Sequence, residues 1–198
     1  MAKRMPTLVR REQIAEAALT LLAEQGLGGL TARNVAKAVG LTAPALYRHF
    51  PGGKADILGS ILDLLEAVRE EVFTAARETS GTALDRLRRS YDLHISLLQR
   101  FRALPCLLLS DTLWIDEPQL RDRFLEGYHA HQERMAALIR QGQEAGEIRA
   151  DIDAVQIFVQ FFGQFLSIAV LHCRQGGMID VSPQSEANWR IFVRGVSP

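Results

Sequence analysis

Residues 31–50, Thr-Ala-Arg-Asn-Val-Ala-Lys-Ala-Val-Gly-Leu-Thr-Ala-Pro-Ala-Leu-Tyr-Arg-His-Phe, constrain this chain more than any other stretch. Thr31 and Thr42 each stand where a hydroxyl can take up a free N–H at the start of a helix. Gly40 falls between them, where a first helix must stop and the chain must turn. The spacing predicts one short helix through Val35, Ala36 and Val39 to Gly40, and a second through Leu46 to Phe50. Two short helices joined by a tight glycine turn make the helix-turn-helix pattern. Upstream, residues 10–25 set Ile14, Ala17, Ala18, Leu21 and Leu22 on one stripe before Gly26, which predicts a preceding helix for the pair to pack on. Val35, Ala36, Val39, Leu41, Leu46 and Phe50 then turn inward. Ala43, Pro44, Ala45, Tyr47 and Arg48 are left outward, small enough in the main to approach a major groove closely. The plainer reading is a helical hairpin that only packs, with Tyr47 a half-buried aromatic and His49 an ordinary surface residue.

Helical periodicity continues to the end of the chain, with no alternating stretch bounded by hairpin turns, so the predicted class is all-α with about nine helices. Pro51-Gly52-Gly53 breaks the chain before a helix from Lys54 to Arg77, and this break sets the expected boundary between a domain at residues 1–53 and one at 54–198. Gly81-Thr82 opens a helix to about Arg102, Pro105 a short apolar piece to Thr112, and Glu117-Pro118 a long helix to about Glu144, stopped by Gly146. Asp151 or Asp153 can cap a helix to Arg174, and Ser182-Pro183 can begin a last one to Arg194. With 198 residues and 47% hydrophobic content the chain can bury a core, and an extended disordered chain is excluded. Two cysteines without paired spacing, and no apolar N-terminal stretch, point to a reduced, cytoplasmic protein.

The formal charge is zero, yet it is unevenly spread. The first sixty residues hold eight Lys and Arg against four Asp and Glu, and the remainder carries the opposite surplus. Only the head would attract a polyanion; the body repels one. Residues 1–8 add a basic arm bearing Lys3 and Arg4.

From about residue 10 to residue 58 the chain resembles the TetR family of transcriptional regulators. The Gly40-Leu41-Thr42 turn and the Leu46-Tyr47-Arg48-His49-Phe50 end of the second short helix carry the match. The resemblance implies a DNA-binding head in which Tyr47, His49, Lys54 and Thr31 contact phosphates, with Arg33, Thr42, Ala43, Pro44, Ala45 and Arg48 completing the DNA face. Hydroxyls, cations and helix N-termini are ordinary phosphate ligands. In one place the chain departs from the family pattern: three residues, Pro51-Gly52-Gly53, separate Phe50 from Lys54 where two are usual.

Ala154–Cys173 runs twenty residues without a charge, long enough for a membrane span or a central core helix. Gln156, Gln160 and Gln164 recur at every fourth position and form a polar stripe, with phenylalanines and isoleucines around the rest. A helix apolar on two sides needs two partners, and the same helix of a second copy is the simplest second one. The family resemblance extends here and implies a homodimer built by residues 153–173 and 183–194. Gln160, Phe161, Gln164, Phe165, Ile168 and Trp189 are the expected interface, with no role for a membrane. Two heads about one DNA turn apart, roughly 34–36 Å, imply a palindromic operator in double-stranded DNA.

The seams of residues 84–101 and 120–138 each carry a histidine among aromatics. Tyr91, His94, Phe101, Trp114, Phe124, Tyr128, His131 and Phe162 form the expected lining for a small apolar or aromatic effector, as the family resemblance also implies. The plainer alternative is a bundle core with two hydrogen-bonded histidines. His129 and His131 are two apart and face differently, which argues against a metal. No cofactor is expected, and no local nucleophile motif surrounds Ser96, Ser110 or Cys106, so no catalytic residue and no enzyme is expected. These readings converge on a repressor released from DNA by a small molecule; a partner-controlled DNA-binding factor without a ligand is the alternative.

Overall fold

The computed structural model describes residues 7–174 and 179–198, with side chains from residue 11 onward except those of Cys173 and Arg174. The expected arm at residues 1–8 falls almost wholly outside that range. Among the described residues all regular structure is helical, in nine α-helices and one π-helical turn. The chain divides into two compact units, Met1–Ala67 with Phe101–Phe124, and Val68–Arg100 with Leu125–Pro198.

In the first unit, α1 (Thr7–Gly29) is broken at Gly26, whose φ of 68° ends the regular helix where the stripe ends. Arg11 lies over the Phe50 ring, 5.3 Å from its centroid, and Ile14, Ala18, Leu21 and Leu22 are buried. α2 (Ala32–Ala38) is capped by Thr31, whose hydroxyl accepts from Asn34 N at 3.2 Å. α3 (Ala43–Tyr47) is capped by Thr42, accepting from Ala45 N at 3.3 Å. Between them, Leu41 N donates to Ala36 O at 2.8 Å and Gly40 N to Lys37 O at 3.2 Å. This doubly closed helix end requires a left-handed residue, and Gly40 supplies it at φ 67°. α4 (Lys54–Glu78) starts in this unit. α6 (Leu104–Leu108) packs on α1 and leads to a π-helical turn at Thr112–Asp116, a break that the expected single helix to Thr112 did not contain. Cys106 was expected as a reduced thiol but is disulfide-bonded, because spacing along a chain does not limit which sulfurs a fold brings together; the Cys173 side chain lies outside the described residues.

The second unit is built from α5 (Ala83–Arg100), most of α7 (Pro118–Glu144), α8 (Ala154–Arg174) and α9 (Val181–Val196), with the end of α4. Thr82 and Asp85 cap α5 reciprocally, Asp85 N donating to the Thr82 hydroxyl at 3.1 Å and Thr82 N to the carboxylate at 2.9 Å. Of the two aspartates expected to cap α8, Asp153 does so, accepting from Val155 N at 2.8 Å. α8 is long and apolar enough to cross a membrane by length and composition. Its apolar residues Ile157, Phe158, Phe161, Phe165 and Ile168 are spent on the core shared with α5 and α9.

The loop after α7 fastens several helix ends. Glu147 accepts from Ala83 N at 2.6 Å, Arg149 N donates to Val196 O at 2.8 Å, and the Gln143 amide donates to Arg149 O and Ile152 O at 2.9 and 2.8 Å.

Candidate nucleic-acid interface and aromatic cluster

The two caps and the glycine turn fix which side of the head faces solvent. Val35, Ala36, Leu46 and Phe50 are buried, so α3 must present its other side. Thr31, Arg33, Thr42, Pro44, Tyr47, Arg48, His49 and Lys54 are exposed, and Ala43 and Ala45 are half-buried. Tyr47 is 49% exposed, unusual for a tyrosine with no structural task in the core. Its ring stands beside Gly53, where a Cβ would meet Tyr47 Cε1 at 3.5 Å. Gly53 holds φ 61° and its carbonyl accepts from Ile57 N at 3.1 Å, so this residue opens α4. The three-residue link is thus closed by Gly53, with Gly52 N donating to Asp56 at 2.7 Å. Tyr47 and Lys54 are brought to the same helix start. That start offers free N–H groups and a cation, which suit a phosphate.

The eight aromatic and histidine candidates fall into both units. In the first, Phe101 is buried, and Trp114 meets Phe124 edge-on at 6.1 Å while its indole N–H donates to Leu108 O at 2.7 Å. In the second, Tyr91, His94, Tyr128, His131 and Phe162 form a continuous cluster with two rings not expected in an effector lining: Phe158, and Phe165, which was expected at the dimer interface. His94 stacks on Phe165 at 4.4 Å and meets His131 at 5.6 Å. Tyr128 touches Phe158 at 6.0 Å and Phe162 at 5.4 Å. The i, i+3/i+4 spacing of Phe158, Phe162 and Phe165 on α8 was the signal that could have found them.

The electrostatics of this cluster follow from burial. His94 Nδ1 donates to Ser90 O at 2.8 Å, yet desolvation pushes the ring down to about 4, with Arg69 opposing its charge as well. Desolvation, then His94, Arg69 and Arg134, push His131 down to about 3. Both imidazoles are therefore uncharged at neutral pH. Tyr91 is buried with its hydroxyl donating to Ser185 O at 3.1 Å, and burial pushes the phenol up to about 12. Burial likewise raises Tyr128. Three or more His, Cys, Asp or Glu side chains do not gather into a metal-holding group among the described residues.

The expected dimer residues need correction. Phe161 is 0% and Ile168 1% exposed, and Gln164, Phe165 and Trp189 are also buried within the protomer, so these five cannot be surface available to a partner. Phe161, Phe165, Ile168 and Trp189 belong to the core that α5, α8 and α9 share within one chain, and Gln164, expected as part of a polar stripe, is buried beside them. Gln160 is exposed. Beside it α8 exposes Val159, Gly163, Ser167 and Leu171, and α9 exposes Ile191 at 68%.

Comparison with known proteins agrees with this arrangement. Residues 14–61 match the bacterial regulatory proteins of the tetR family, and residues 83–174 match the tetracyclin repressor-like C-terminal domain. The nucleoid occlusion factor SlmA of Marinobacter nauticus is 31% identical over 164 residues, 76% of this chain and 80% of that protein. The transcriptional repressor KstR2 of Rhodococcus jostii is 26% identical over 95% of this chain and 91% of that one. Among solved structures, FadR from Bacillus subtilis in complex with stearoyl-CoA has a TM-score of 0.77 at 23% identity, covering 92% of this chain and 97% of that one. That likeness is one of fold.

Proposed function

The chain belongs to the TetR family of DNA-binding transcriptional regulators, and from that premise we propose that it is a homodimeric repressor of a palindromic operator, released by a small apolar or aromatic effector. The observation that carries the reading is the exposed row on the capped α2–turn–α3 pair and the start of α4. In it Thr31, Tyr47, His49 and Lys54 hold phosphates. Arg33, Thr42 and Arg48 reach toward the groove, and Ala43, Pro44 and Ala45 allow close approach to base edges. The head, residues 1–53, binds DNA; residues 54–198 bind the effector and the second copy. Exposed Val159, Gln160, Gly163, Leu171 and Ile191 are the face offered to that copy, since a stripe of exposed apolar side chains on two adjacent helices calls for a cover.

Helix α4 supplies residues to both compact units, and is the element through which an effector in the second would act on the head. Such an effector must bind the DNA-free state more tightly than the DNA-bound one, and then DNA must weaken effector binding by the same factor. Work at DNA places the protein in the cytoplasm. Supporting this reading are relatives that are named repressors or carry small molecules in their structures.

Selection of genomic fragments by the purified protein, at stated and then raised salt, tests the reading. A shared palindrome that survives the rise supports it, whereas binding that fades uniformly with salt leaves only backbone attraction and overturns the operator. The 31% identity to a nucleoid occlusion factor favours one second reading, a DNA-binding factor of this fold controlled by a protein partner. Under that reading no small molecule displaces the selected DNA.

A further inference from the structure

His131 is 5% exposed, and its Nε2 is buried with no hydrogen-bond partner. Buried polar atoms are seldom left so, because they have given up water without replacement. The His131 ring lies among others, its centroid 5.6 Å from that of His94 and 6.0 Å from that of Phe158, which in turn neighbours Tyr128 and Phe162. Tyr128 and Phe162, the outer rings of the cluster, keep partial exposure, while Phe158 and His131 are buried behind them. His94 has committed Nδ1 to Ser90 and cannot turn that nitrogen toward its neighbour.

We infer that this cluster binds a phenol, its ring among Phe158, Phe162 and Tyr128 and its hydroxyl on His131 Nε2. The inference deepens the effector reading above and rests on it. Three properties of the site select this chemistry. A hydroxyl can donate to an unprotonated Nε2 or accept from a protonated one, so it pairs with either neutral form of the imidazole. An aromatic ring finds edges and faces already presented at offset and edge-on geometry. A carboxylate would exchange its water for an uncharged imidazole, since burial keeps His131 neutral and Arg134 is already paired with Glu70.

The test uses the full-length protein and three matched probes: para-phenylphenol, its methyl ether, and biphenyl-para-carboxylate. Calorimetric titration should show the phenol binding about tenfold tighter than the ether to the wild type, the preference vanishing in His131→Phe and returning in part in His131→Gln. In the wild type the imidazole nitrogen resonance of His131 should move with the phenol and stay with the ether, a readout that survives if His131→Phe fails to fold. Equal binding of phenol and ether, a preference unchanged in His131→Phe, or tightest binding by the carboxylate overturns the inference. Failure of all three probes to bind overturns it too. The effector reading is judged separately, by whether any member of a wider apolar library displaces selected DNA.

Discussion

Two neutral imidazoles inside the second unit make the fold sensitive to acid, by an amount that can be worked out. In the unfolded chain each titrates near its ordinary 6.5, while in the fold His94 lies at about 4 and His131 at about 3. As pH falls the unfolded chain takes the proton first. Stability is therefore intact above 6.5 and drains away below it, until the folded values are reached. At about pH 5 the gap to 6.5 is roughly 1.5 units, and at about 1.4 kcal/mol per unit each histidine costs about 2 kcal/mol of stability. The rings are 5.6 Å apart, so charging one opposes charging the other and the pair titrates together. Urea unfolding followed by circular dichroism, at fixed protein concentration and at about pH 7.5 and about pH 5, measures the loss. His131→Phe should lose about 2 kcal/mol less than the wild type between those two values, because groups remote from it contribute to both proteins and cancel, and His94, at about 4 in the fold, is still mainly uncharged at about pH 5. Equal losses would refute the reasoning and mean that the His131 ring is reached by water in the folded state.

Five further variants have expected outcomes. Lys54→Ala should weaken operator binding and lower the slope of log affinity against log salt by about one, while Tyr47→Phe keeps the ring but loses the hydroxyl contact; fluorescence anisotropy at several salt concentrations reads both. Gly40→Ala should cost about 1–2 kcal/mol, since φ 67° is forced there and no neighbour lies within 4 Å of an added Cβ. Gly142→Ala should cost a similar about 1–3 kcal/mol for another reason, a Cβ meeting Ala83 Cβ at 2.7 Å and Ile148 Cδ1 at 2.8 Å; thermal melts distinguish either from no effect. Ile191→Glu, on a residue 68% exposed in the protomer, should leave helix content unchanged and shift sedimentation toward monomer.

Local chemistry was legible in the sequence. Thr31 and Thr42 act through hydroxyls that reach three residues on, and Gly40 through its own backbone freedom, so the head is legible from local residues alone. The π-helical turn at Thr112–Asp116 was not legible, because no breaker stands there until Pro118. Nor was the partition of α8. Periodicity marks which side of a helix will be buried, but Phe161 and Ile168 look the same in sequence whether α9 of this chain or a second copy covers them. The aromatic cluster stood between these cases: the histidines stood out, while the phenylalanines that hold them were visible only as spacing.

The loop after α7 holds the first residue of α5 and the last of α9 through bonds between distant parts of the sequence, and the last turn of α7 through a local one. Each of those ends is held by a bond to the same short loop, so the ends are coupled through residues 147–149. In hydrogen–deuterium exchange, amides at the start of α5 and the end of α9 should therefore open with one common free energy, as a single cooperative element. In the middle of the same helices the Tyr91 hydroxyl also reaches a distant segment, donating to Ser185 O at 3.1 Å, but His131 Nε2 has no partner.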